Sequence, residues 1–253
     1  MIAITVDTEA DLNSRDYRGI YDGLGALRKI LDKYDIKVTF FVTCDCIEKY
    51  PKIFQRLQKE DHEIALHGYR HVRFDKLSYK EKEEQIKKSI EVFVRYLKKK
   101  PKGFRAPQHS IDNETLNLLE KYNFKYDSSY TPLNLFQLFF FPRRFLSWLR
   151  LFLSKTKTYR IRGNLYEIPC SAIIIPFVSL VLRIFPKSLL KFYLGILKVF
   201  NREIVFYAHS WDFIELPNSR IDRTFSHKRV VKNLIYLINH SDKNRFVKME
   251  ELV

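Results

Sequence analysis

Cysteine is scarce in this chain: three residues in 253, at positions 44, 46 and 170. An odd number over this length argues against a disulfide framework and for a reducing compartment, and the C-x-C spacing of Cys44 and Cys46 fits no zinc motif, so both are read as structural. Seven glycines and nine prolines, beside 46% hydrophobic and 29% charged residues, exclude a fibrous or disordered chain. No G-x-G-x-x-G or P-loop run follows the first apolar segment, so nothing recommends a nucleotide fold. No uninterrupted apolar run reaches the roughly 18 residues of a membrane span. The opening "MIAITVDTEAD" lacks the basic region, apolar stretch and cleavage site of an export signal and reads at once as a strand, so the expected location is cytoplasmic. Acids are also missing from one region: residues 133–200 hold eleven Lys and Arg against Glu167 alone, which supplies +10 of the net +16. The basicity therefore belongs to one segment and not to the whole fold.

What is present is an alternation. Short apolar or β-branched runs at 2–7, 37–43, 62–67, 102–107, 125–129, 165–170, 203–210 and 244–250 predict eight strands. Segments of helical period lie between most of them, at 20–34, 47–59, 78–98, 112–122 and 227–240. Repeated βα units over this length predict a single 253-residue domain of α/β class, a distorted barrel of seven or eight strands, with an open doubly wound sheet as the alternative. On that frame Asp7 and Glu9 follow the first strand, while His67 and His71, Arg105, Asp127 and His209 sit at C-terminal ends of later strands. In a barrel this is the face where active sites are built.

His67 and His71, four apart, are weak evidence by themselves. A divalent ion held by two imidazoles and one carboxylate keeps open positions for water and a substrate carbonyl, and either Glu9 or Asp7 could be that carboxylate. The runs "VDTE" (6–9), "HGYRH" (67–71), "FRAP" (104–107), "YDSSY" (126–130) and "YAHSWDF" (207–213) resemble, in order, the five motifs of the polysaccharide deacetylase family, the NodB-homology carbohydrate esterases, in a divergent D-x-E form. The resemblance implies a distorted (β/α) barrel and one divalent metal ion, expected to be zinc, on Glu9, His67 and His71. It implies Asp7 as general base held ionised by Arg105, His209 as general acid oriented by Asp127, and the Gln108 backbone N–H as oxyanion donor. Tyr207, where the family has leucine, and Trp211 would shape the acyl pocket, and His109 is an extra candidate beside a surface-loop reading. Gly68 stands where the family commonly has a hydroxyl residue.

The segment 131–200 lies outside these motifs. Pro142 and Pro186 are each expected to open an amphipathic helix, the first with Phe145, Trp148, Leu149 and Phe152 on one face, the second with Lys187, Lys191 and Lys198 along one edge. Packing on the barrel would explain them, and so would an anionic membrane interface; their leucine and phenylalanine content argues against nucleic acid. The expected function is metal-dependent removal of an N-acyl group, acetyl first, from an amino sugar, on a lipid-linked glycan at the inner membrane face. The alternatives are a metal-independent amidohydrolase of a small cyclic amide and a non-catalytic sugar- or lipid-binding relative.

Overall fold

The computed structural model describes residues 1–11, 16–131, 156–173, 175–216 and 224–253. Its strands are β1 (Ile2–Thr8), β2 (Thr39–Val42), β3 (Glu63–Leu66), β4 (Gly103–Phe104), β5 (Tyr126–Asp127), β6 (Tyr159–Arg162), β7 (Leu165–Glu167) and β8 (Ile204–His209). They form one sheet in the order β6-β7-β5-β4-β3-β2-β1-β8, parallel throughout except for the β6–β7 hairpin. The helices between them are α1 (Leu24–Tyr34), α2 (Cys44–Lys49), α3 (Pro51–Lys59), α4 (Tyr79–Leu97), α5 (Asn113–Lys121), α6 (Ser179–Ile184), α7 (Lys187–Phe200) and α8 (His227–Asn239). Beyond β7 the chain turns back towards β8: the Ser171 N–H donates to the Val205 carbonyl, Tyr207 N–H donates to Phe177 O, and Val178 bridges Tyr207. These bonds bring the two ends of the curled sheet together as a distorted barrel.

The two-residue period of a strand decides what the barrel contains. Ile2, Ile4 and Val6 of β1, with Phe40, Val42, Ile64, Leu66, Phe206 and Ala208, belong to the large core under the helices. Their alternates Ala3, Phe41, Ala65 and Val205 form a second, small cluster with Tyr126 and Met249. The same inward row continues towards the C-terminal mouth as Thr5 and Asp7 on β1, His67 after β3 and Tyr207 and His209 on β8. Asp7 and His209 are partners in the β1–β8 register.

Three expectations change. The run 244–250 forms two short 3-10 turns and not a strand, with one bridge between Phe246 and Ile2. β1 already has β2 and β8 on its two sides, and only the stretch before the Thr5–Thr39 pair is open to a further neighbour. The expected helix 47–59 is two helices divided at Pro51, and β6, a half-exposed "YRIR" edge, is an additional strand. The helix expected after Pro142, with Phe145, Trp148, Leu149 and Phe152, lies outside the described residues. The helix expected after Pro186 is α7. Among the described residues no helix is long and apolar enough to cross a membrane.

Candidate active site

Glu9, His67 and His71 converge at the mouth, their ligand atoms all within 4.8 Å of one another. The Nε2 of His71 is 2.7 Å, and that of His67 3.6 Å, from Glu9 Oε2, yet this buried oxygen accepts no hydrogen bond from either ring. The other nitrogen of His67 settles why. Its Nδ1 is 2.8 Å from the Arg105 carbonyl, and donating there leaves Nε2 with its lone pair aimed at Glu9. A buried carboxylate oxygen beside two imidazole nitrogens is a donor set for a cation when the rings are neutral, and the residues fit a divalent metal. Burial works against the Glu9 charge, but His67 and His71 outweigh it and hold the carboxyl below its usual range. His71 is the exposed member, so the set opens towards solvent.

Gly68 holds the loop between the two histidines. Its φ of +86° is the left-handed region, and a Cβ there would stand 3.1 Å from the Arg70 carbonyl oxygen and 3.2 Å from the Phe74 ring. A hydroxyl residue does not fit this path, and bracing comes from the backbone instead: the Cys44 N–H donates to Gly68 O at 3.0 Å. Cys44 and Cys46 are buried and burial pushes both thiols up, in keeping with structural roles.

On one side of the triad, Asp7 Oδ1 accepts from Arg105 at 2.8 Å, and its Oδ2 is 3.4 Å from His67 Nε2. Arg105 is fully buried. It donates further to Thr5 Oγ1 (3.0 Å), the Ser128 carbonyl (3.0 Å) and Ser128 Oγ (2.9 Å), with its guanidinium 4.0 Å from the Phe41 ring centroid. Burial alone would raise the Asp7 pKa, but His67, Arg105 and His209 together lower it, so the carboxylate stays ionised.

On the other side is His209, with Nε2 3.9 Å from Glu9 Oε1 and 2.7 Å from the Tyr207 hydroxyl. Trp211 stacks on its ring at 4.3 Å and 12°. The residue that orients it is Asp212, not Asp127. Asp212 Oδ2 accepts the His209 backbone N–H at 2.8 Å and lies 3.7 Å from Nδ1, while Arg183 NH2 meets Asp212 Oδ1 at 3.2 Å and Ser179 also hydrogen-bonds the carboxylate. Burial disfavours the charged ring, but Asp212, then Asp7 and Glu9, outweigh it and raise the His209 pKa.

Asp127 is engaged elsewhere. Its Oδ1 accepts from Ser129 Oγ at 2.6 Å, its side chain meets Glu167, and burial raises it to about 6. Two buried carboxyls cannot both ionise, and Glu167 is pushed well above its usual value, so the pair shares a proton. Asp127 thus braces the loop after β4, where Ser129 Oγ accepts the Ala106 N–H at 2.8 Å. His109 is half-buried: it packs edge-on against Tyr207 at 5.4 Å, its Nδ1 3.0 Å from Ser129 O. Burial and Arg105 lower its pKa to about 4.

The groups surround a cleft of about 450 Å3. Gln108 stands exposed on its rim in a left-handed conformation (φ 55°, ψ 24°), a strained backbone at the place expected of the oxyanion donor. The wall opposite the triad comes from Val178, Ser179, Leu180 and Arg183 at α6. The segment 131–200 therefore contributes to the site. Sequence reasoning missed Asp212, Arg183, Ser179 and Glu167. Asp212, three past His209 and one helical turn away, carried a local signal; Arg183, alone in "SLVLRIF", carried none.

The polysaccharide deacetylase family model matches residues 1–126. The chain belongs to the polysaccharide deacetylase family. The "YAHSWDF" run at 207–213 lies beyond the matched residues. A peptidoglycan deacetylase-like protein of Gibberella zeae is 38% identical over 109 residues, 42% of this chain and 32% of its own length. The peptidoglycan deacetylase of Helicobacter pylori is 32% identical over 115 residues, 44% of this chain and 39% of its own. The chain thus matches less than half the length of these relatives. Among solved structures, one described as a polysaccharide deacetylase from Mycobacterium smegmatis shares the fold with a TM-score of 0.73 at 18% identity, covering 99% of this chain and 87% of that one.

Proposed function

We propose that the protein is a divalent-metal-dependent hydrolase that removes an N-acyl group, acetyl first, from an amino sugar. One observation carries this reading: a base and an acid, Asp7 and His209, are register partners on adjacent strands, and a carboxylate–imidazole triad lies beside both. Asp7 takes the proton of the attacking water, and Arg105 keeps its carboxylate ionised for that purpose. His209 gives a proton to the departing amine nitrogen, which is otherwise a poor leaving group, and Asp212 stabilises the imidazolium that must exist first. A divalent ion at the triad, zinc in this proposal, supplies Lewis acidity to the acyl carbonyl and acidifies water. Trp211 restrains the His209 ring from its flat side.

Within the proposal the amino sugar is carried on a lipid at the cytoplasmic membrane face, for which the support is the acid-poor basic segment 133–200. A metal-independent amidase reading has no use for two imidazoles converging on one buried carboxylate. The test is metal content and acyl release in three proteins. Wild type is expected to hold one divalent ion and release acyl groups; His71→Ala loses the ion. Asp7→Asn keeps the ion and loses turnover by about 10²- to 10⁴-fold. Full activity in chelator, with no bound ion, would sink the proposal.

A further inference from the structure

α7 is apolar over two adjoining sectors, and among the described residues only one is covered. Leu190, Tyr193, Leu194 and Leu197 are buried against the barrel layer. At about 100° per residue these four centre on one side, while Leu189, Phe192, Ile196, Val199 and Phe200 centre about 120° round the helix from them. That second face is open: Phe192 is 67% exposed, Val199 79%, Phe200 65% and Leu189 43%. They are the densest group of exposed large apolar side chains among the described residues. Scattered exposed leucines need no explanation, but an apolar face along one helix does.

Charge says what covers it. Lys187, Lys191 and Lys198 lie within about 40° of one another on the remaining side of α7, between Leu194 of the buried sector and Val199 of the open one, and Lys191 borders the open sector beside Phe192 and Val199. α8 packs beside α7, with the Lys187 ammonium 5.9 Å from the Tyr236 ring centroid and Lys198 Nζ donating to the His240 carbonyl at 3.3 Å. It adds exposed Lys228, Arg229 and Lys232, and neither helix contains an acidic residue. A protein partner for the apolar face alone would not require this one-signed border, and a second copy of the same basic face would repel it. Phenylalanine, leucine and valine flanked by cations is the arrangement of an interfacial helix, with the side chains in the acyl boundary and the ammonium groups at anionic headgroups.

We propose that the Leu189–Phe200 face of α7 docks in the interface of an anionic phospholipid bilayer. The inference concerns a surface and not the acyl chemistry, so it stands or falls separately from the hydrolase reading. α6, which walls the cleft, is joined to α7 through Phe185 and Pro186 alone, so docking would fix the cleft close to the bilayer.

The experiment is co-sedimentation of the full chain, without metal or substrate, with vesicles of phosphatidylcholine alone or with a quarter phosphatidylglycerol. Binding is expected only to the anionic vesicles and is expected to weaken with salt. Lys191→Glu with Lys198→Glu should weaken it at least ~25-fold, about fivefold per lysine. Phe192→Ser with Val199→Ser should weaken it at least ~10-fold. Val94→Ser, which removes an apolar side chain 45% exposed on α4, should change nothing. All substituted positions are exposed, and an unchanged far-ultraviolet spectrum keeps folding out of the comparison. Phe192→Trp is expected to shift its emission to the blue on anionic vesicles. No binding to anionic vesicles, equal binding by the Phe192/Val199 variant, or self-association abolished by that same variant would each overturn the proposal. Acyl release from a soluble substrate, measured in parallel, keeps failure of docking distinct from failure of the hydrolase reading.

Discussion

The two sides of the cleft to which the proposal gives the base and the acid are built differently. The base side, Asp7 with Arg105, is made of strand residues pointing into the barrel, and each polar atom meets another strand residue or the turn after β5. The acid side, His209 with Asp212, is held from outside the sheet, by a 3-10 turn and by Ser179 and Arg183 of the short helix α6. A buried strand position is fixed by register, because a slip of one residue would turn the whole row to the other face. A helix brought in by a long connection is fixed only by its own contacts. The base side should therefore be the part whose loss is general, and the acid side the part whose loss is selective.

The largest effect follows from cutting the base side. Arg105→Leu leaves Asp7 as a buried charge without its main partner, and breaking such a pair costs about 3–5 kcal/mol. Thermal unfolding should record that loss. Water attack needs Asp7 whatever the leaving group, so acetamide and activated-ester hydrolysis should fall together. Asp212→Asn and Arg183→Gln should behave otherwise. Amide hydrolysis is expected to fall about 10- to 100-fold, the usual range for losing an orienting partner. Hydrolysis of a 4-nitrophenyl ester, whose leaving group needs no proton, should stay nearly unchanged, as should metal content. Equal losses on both substrates would erase the distinction between the two sides.

The same distinction governs what could be seen in the sequence. That Asp7, Glu9, His67, Arg105 and His209 meet at one mouth was legible because alternation in short apolar runs sets the strand ends at which they stand, while the roles expected of them came from the family resemblance. His71 came with the HGYRH motif, since its spacing to His67 was weak evidence by itself. Asp127 was placed at the right strand end and in the wrong partnership. Its strand is only two residues long, and whether its carboxyl turns to His209 or to Glu167 depends on a β7 neighbour 40 residues away. Arg183 was invisible for a related reason: one cation in an apolar run reads as a helix edge until α6 is seen to close the cleft. The C-terminal run 244–250 looked like a strand by composition, and the occupied sides of β1 refused it.

Gly68 sharpens the comparison at smaller scale, since it belongs to the triad and to neither proton-handling side. Gly68→Ala puts a Cβ into a left-handed backbone and against the Arg70 carbonyl, at a cost of about 1 kcal/mol or somewhat more. The loop carrying His71 should relax, so metal affinity should fall several-fold while the amide-to-ester ratio of the loaded enzyme stays as in wild type. A changed ratio would mean that the loop also positions His209.

The smallest effect concerns the carboxyl that was assigned to the wrong side. Asp127 and Glu167 both have raised pKa values in the folded protein, so between about pH 4 and 6 the folded state retains a proton that the unfolded chain has released. The contribution is fully present below the unfolded carboxylate pKa; the Asp127 part is lost as pH rises through about 6, and the Glu167 part at higher pH. Stability should fall across that window, so Tm should be lower at about pH 6 than at about pH 4. Glu167→Gln, which donates a hydrogen bond at every pH, should flatten the slope. Asp127→Asn should do the same and leave the amide-to-ester ratio alone, because its carboxyl braces the turn beneath Arg105. If Asp127→Asn instead lost amide hydrolysis selectively, as Asp212→Asn is expected to, Asp127 would belong to the acid side after all, and the partnership with Glu167 would not be its working state.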